Sequence, residues 1–164
     1  MSNRIIERDE LSTLLPHKGK MFLLTRLVSY DIAAQQRSLR SEYDITGECL
    51  FYDPALGGVP AWVSFEFMAQ SIAVLSGLTG REKGEPPKPG FILSVSNMEI
   101  MIPVLRAGTT ACIQVQEDCR VESVFTFDCV VSLNGTTAAQ AKLTIMEADD
   151  MSVFEKREVN SNGA

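Results

Sequence analysis

The spacing of apolar residues changes character along this chain, and each change predicts an element. Glu7 to Leu15 reads as a short helix, stopped by Pro16. Met21 to Tyr30 (MFLLTRLVSY) reads as an apolar strand, and Ala33 to Tyr43 as a second, more polar strand paired with it. A loop from Asp44 to Val59 leads into a helix over Ala61 to Gly80, whose apolar residues leave no clear polar face. A helix of that kind is buried on all sides. Arg81 to Pro89 (REKGEPPKP) is a charged, proline-rich loop and is expected to be mobile. Four strand patterns follow, over Phe91–Ile102, Thr109–Cys119, Val124–Leu133 and Thr136–Glu147. Asn134-Gly135 between the last two is a strong hairpin signal.

The order is helix, two strands, one long apolar helix, then four antiparallel strands. That predicts an α+β fold, with about six strands packed against one helix. The helix is too apolar to keep a wet face, so the sheet must wrap round it or a second subunit must cover it. Residues 1–148 are expected to form a single domain. Residues 149–164 are polar and are expected to form a flexible tail.

Glu66 stands out against this pattern. It lies in the second turn of the apolar helix, where a carboxylate is costly unless it is paired, protonated or at work. Two readings stay open: a structural carboxylate bonded to backbone donors, or an active-site acid. Gln70, four residues on, shares its face. Gly57-Gly58-Val59-Pro60 suits a tight turn into the helix, and free N–H groups there are candidates for binding a carbonyl or anionic oxygen.

Composition narrows the chemistry. The chain has 164 residues, 45% apolar and 22% charged, enough for one ordinary globular core. A net charge of −6 argues against a nucleic-acid role, which needs a basic footprint. There is no Walker loop, dinucleotide fingerprint or GxSxG elbow. One histidine and four cysteines without a CxxC pair argue against a metal site, and Cys112, Cys119 and Cys129 are expected as reduced core residues. No uninterrupted apolar run spans a bilayer and the N-terminus does not read as a signal peptide, so no membrane association and a cytoplasmic location are expected. Arg81, Lys83, Lys88 and Arg106 are candidates for a local basic patch facing an acidic partner.

Three segments in order carry a resemblance. Leu14-Leu15-Pro16-His17-Lys18, followed by Met21-Phe22-Leu23-Leu24, resembles an LLPHR…FLL opening. Pro54, Pro60, Glu66, Met68, Ala69 and Gln70 match a HFPGxPxxPGxxxxEAMAQ segment without gaps, and Ile102 to Gly108 (IPVLRAG) resembles an RPVVPGD element. Over about Leu14 to Met146 the chain therefore resembles the hot-dog-fold 3-hydroxyacyl-[acyl-carrier-protein] dehydratases. It is most similar to their aryl polyene subgroup, a type II polyketide branch that also shows a PGF-L-V strand, here Pro89 to Val95.

The resemblance implies a hot-dog fold, an antiparallel sheet wrapped round one helix, and a dimer. The implied reaction is dehydration to a trans-2-enoyl product in a fatty-acid or aryl polyene pathway. It implies a substrate carried on the phosphopantetheine arm of an acyl carrier protein, with no metal or soluble cofactor. Glu66 falls on the family's acid, Ala61 where a helix-start amide holds the thioester oxygen, and Gly58 and Gln70 join it as substrate-binding candidates. The family's catalytic histidine position is Tyr52 here, a poor base at neutral pH because an ordinary phenol titrates near ~10. Tyr52 and His17, the single histidine, are the secondary catalytic candidates. Three arrangements remain open: His17 reaching the site, Glu66 acting alone or with Tyr52, or a heterodimer in which a sister subunit lends its histidine. A silent partner subunit and a hot-dog thioesterase are the competing functions.

Overall fold

The computed structural model describes Ser2 and residues 4–148; the predicted flexible tail lies outside the described residues. Strand β1 is Ile6–Glu7, helix α1 is Arg8–Leu11, β2 is Arg26–Asp31 and β3 is Ser38–Asp44. A short strand β4, Gly58–Pro60, runs through a single 3-10 turn into the long helix α2, Ser64–Glu82. Five more strands follow: β5 Gly90–Ile100, β6 Val104–Arg106, β7 Thr110–Val121, β8 Val124–Leu133 and β9 Thr136–Glu147.

Seven strands form one antiparallel sheet in the order β1-β2-β3-β7-β8-β9-β5, and β4 pairs with β6 in a small second sheet. The large sheet curls round α2, which packs on β3, β7, β8 and β9. Period-2 alternation sets the inner face: Ala111, Ile113 and Val115 on β7, and Phe125, Phe127, Cys129 and Val131 on β8, are all buried. Opposite them α2 buries Phe67, Met68, Ile72, Val74, Leu75 and Leu78. The hairpin at Asn134-Gly135 has both residues at positive φ, 49° and 80°, as that dipeptide favours.

Several expectations need correction. The first helix ends at Leu11, and residues 12–18 run on as an irregular segment. The strand expected from Met21 begins only at Arg26, because Gly19–Met21 forms a 3-10 turn. Arg81 and Glu82, read as loop, are the last residues of α2. Trp62, on the segment Ala61–Gly80 read as a helix buried on all sides, and Cys119, expected in the core, are exposed, Trp62 by 54%. By composition the segment Ala61–Glu82 is long and apolar enough to cross a bilayer, but 67% of its apolar window is buried inside the protein, which marks a core helix.

Two features of the fold stand out. Arg37 and Glu117 are both buried and bonded to each other at 2.5 Å, with Arg120 adding two further bonds to the same carboxylate. The Phe125 ring lies under both guanidinium groups, at 5.0 and 5.1 Å. The second feature is strand β5. It is an edge strand whose Ile92, Leu93, Val95 and Ile100 are all more than 40% exposed, an apolar border with an unpaired backbone.

Candidate active site

A cavity of about 340 Å³ lies along α2 from Glu66 to Ser76. Glu66, Ala69, Ala73 and Ser76 reach it at spacings of three and four, one stripe of the helix. Phe91 and Ile92 of β5 and Ile145 and Glu147 of β9 form the facing wall, and Pro16 and His17 enter beside Glu66. At the other end Ser76 Oγ donates to Glu147 Oε1 at 2.5 Å. A larger hollow near Gln36 and Arg120 has both its carboxylates committed, Glu117 to Arg37 and Arg120 and Asp118 to Lys142.

Helix α2 sets the polar end almost unaided. Gln70 is fully buried on it, and its side chain is spent on three partners. Nε2 donates to Met21 O at 2.8 Å and to Glu66 Oε1 at 3.1 Å, while Oε1 accepts from Leu23 N at 2.7 Å. One amide therefore ties the Met21–Leu23 segment to the acid. Seven residues on, Gly77 seats the preceding segment: a Cβ there would lie 2.1 Å from Leu14 O. Glu66, Gln70 and Gly77 are four and seven residues apart, so one face of α2 carries the acid, the clamp and the seat.

Between those two grips lies His17. Its Nε2 stands 3.5 Å from Glu66 Oε1, and the two side chains are 29% and 21% exposed, enough for a ligand to touch both. Its Nδ1 is buried and has no hydrogen-bond partner among the described residues. Among the cysteines, burial pushes the Cys129 thiol up to about 12, so it is no nucleophile. Among the described residues no group of three His, Cys, Asp or Glu side chains converges to hold a metal ion.

Of the catalytic and substrate-binding candidates named from sequence, only Glu66 and His17 line this cavity. Gln70 supports the site from behind: both its amide protons are spent, and it is fully buried and does not line the cavity. Ala61 is not free to hold an oxyanion: it is buried and its N–H donates to Pro103 O at 2.9 Å, extending the β4–β6 pairing. Gly58 is required by packing, because its Cβ would meet Leu105 O at 2.2 Å as β6 passes, and it does not line the cavity. The turn amides of Gly57 and Gly58 are likewise spent on Asp53 O. Tyr52 sits on the loop between β3 and β4, half-buried, and does not line its own chain's cavity. Sequence reasoning missed Ser76, Glu147 and Gly77. A glycine inside a long apolar helix costs about 1 kcal/mol and was the available sign of a close approach.

A sequence model described as ApeP dehydratase, of the ApeP-like family, matches residues 9–156. The chain belongs to the ApeP-like dehydratase family. Its curated relatives include 3-hydroxyacyl-[acyl-carrier-protein] dehydratases FabZ from two Rickettsia species. That of Rickettsia felis is 27% identical over 150 residues, covering 88% of this chain and 98% of the relative. That of Rickettsia bellii is 28% identical over 149 residues, covering 88% and 97%. Among solved structures, the dehydratase heterocomplex ApeI:P from Xenorhabdus doucetiae superposes with a TM-score of 0.78 at 22% identity, covering 88% of this chain and 95% of that one. A thioesterase from Pseudomonas aeruginosa superposes with a TM-score of 0.55 at 15% identity, covering 74% and 81%. Both structural likenesses speak for the hot-dog fold, a sheet wrapped round one helix. Membership of the ApeP-like family rests on the sequence match.

Proposed function

We propose that this ApeP-like protein dehydrates a 3-hydroxyacyl group, carried as a thioester on the phosphopantetheine arm of an acyl carrier protein, to the trans-2-enoyl product. The place of such a step is a fatty-acid or aryl polyene pathway. The observation that carries the reading is Glu66: a carboxyl held by Gln70 at one end of a cavity whose middle is walled by Ala69, Ile72, Ala73, Ile92 and Ile145, on the helix segment that matches the dehydratase pattern. The apolar stretch past Ala69 and Ala73 suits an acyl chain. Loss of water needs a proton taken from C2 and a proton given to the departing 3-hydroxyl, and in this reading Glu66 supplies the second.

The test is conversion of a 3-hydroxyacyl-carrier protein, read by mass spectrometry of the intact carrier. Loss of one water with the thioester intact is expected, and Glu66→Gln is expected to lower the rate by about 10²–10⁴-fold. Release of free acid would identify a thioesterase instead, and a Glu66→Gln variant working at the wild-type rate would remove Glu66 from the mechanism.

A second reading has its own support. Tyr52 stands at the family's histidine position, and the apolar edge of β5 has no neighbouring strand among the described residues. Pairing with a second hot-dog subunit along β5 would cover that edge, as a homodimer or as a heterodimer in which the other chain lends a histidine. Native mass spectrometry of the chain with and without a sister dehydratase separates the two assemblies.

A further inference from the structure

The geometry points to His17 as the base that takes the C2 proton, working within one chain beside Glu66. This rests on the dehydratase reading above. His17 is the single histidine of the chain, and it lies in the cavity that holds Glu66, whereas Tyr52 does not. It is held there from both sides by α2: Leu14 rests against Gly77 before it, and Gln70 bonds Met21 and Leu23 after it.

Two observations weigh against a purely structural histidine. A histidine kept for architecture commits its ring nitrogens to partners, yet Nδ1 is buried with none among the described residues, which costs stability. Its other nitrogen faces a partly exposed carboxylate at 3.5 Å, and ion pairs of that kind contribute little. The site therefore gives up stability to keep an imidazole against a carboxyl, the pattern expected of working groups.

The step requires His17 Nε2 free to accept and a proton on Glu66 to give. His17 Nε2 takes a proton from C2. The C2 electron pair forms the C2=C3 double bond, and the C3–O bond breaks. Glu66 gives its proton to the departing hydroxyl, which leaves as water. The imidazolium then returns its proton to Glu66 across the same gap, restoring both groups. Nothing is oxidised or reduced.

The experiment compares the full-length wild-type chain with His17→Ala and His17→Gln on a 3-hydroxyacyl-carrier protein, with circular dichroism to establish that each is folded. Both variants are expected to lose about 10²–10⁴-fold in rate. Added imidazole is expected to restore turnover in His17→Ala, which leaves room for it, and not in His17→Gln. A folded His17→Ala variant working at the wild-type rate overturns the proposal and leaves the dehydratase reading standing. So does a loss that imidazole fails to repair, the signature of a structural role. If the wild-type chain turns over only with a sister hot-dog dehydratase added, the base comes from the partner and the proposal falls. No water loss under any of these conditions overturns the dehydratase reading itself.

Discussion

Gly77 offers a test of how the site is assembled, because it touches neither the acid nor the histidine. In Gly77→Ala the new methyl would lie 2.1 Å from Leu14 O, against backbone that no rotamer change can move aside. Ordinary carbon–oxygen contact requires a shift of about 1 Å between α2 and the Leu14 segment. Removing a helical glycine returns about 1 kcal/mol. Overpacking of this severity costs up to about 3 kcal/mol. The net expectation is a loss of about 2 kcal/mol, a fall in Tm of about 4–8 °C for a chain of this size. His17 is three residues beyond Leu14, so the same shift moves its ring relative to Glu66. A misplacement of about 1 Å costs about 10²-fold in rate. Thermal melting and kcat/KM on a 3-hydroxyacyl-carrier protein, measured on the same preparation well below Tm, separate the two effects. A variant with raised Tm and unchanged kcat/KM would show that Leu14 does not rest on this glycine and would refute the account of how His17 is placed.

Two further predictions concern the clamp and the buried ion pair. Gln70→Leu leaves the Leu23 N–H and Met21 carbonyl without their partner and is expected to cost about 2–4 kcal/mol in urea unfolding; an unchanged midpoint would mean that other groups satisfy them. For Glu117, burial is the largest influence and raises its carboxyl, but the Arg120 and Arg37 bonds outweigh it and hold the group below its ordinary 4.5. Its contribution to stability is therefore complete above about 4.5 and is lost as pH falls below that value. Glu117→Gln, which strands the Arg37 charge, is expected to lose about 3–5 kcal/mol at neutral pH and to show a shallower acid limb in urea midpoints. An identical acid limb in the variant would remove Glu117 from it.

Much of the fold was legible because burial imposes a period. Alternation along β7 and β8 announced strands with one inner face, Asn134-Gly135 announced their hairpin with β9, and the all-round apolar helix announced the element the sheet encloses. Elements too short to show a period were not legible. The two residues of β1 and the three each of β4 and β6 carry no pattern of their own and exist because neighbouring backbone offers them partners. Trp62 shows the opposite failure: apolar character places a side chain near the core only where the local backbone turns it inward, and here it points out against Phe51.

The candidate site divides in the same way. A carboxylate on an apolar helix is improbable by solvation alone, so Glu66 could be singled out without coordinates, as could the resemblance of the segments around it. The commitments of the remaining groups could not. The Ala61 amide is spent on Pro103 and the Gln70 side chain on Met21 and Leu23 by contacts far away in the chain. The meeting of His17 with Glu66 depends on two grips by α2, at Gln70 and Gly77. Composition and periodicity are local properties, and they determined the layers and the costly charge. Which polar groups are satisfied and which are left free depends on who is near whom after the chain closes, and only the tertiary structure decided that.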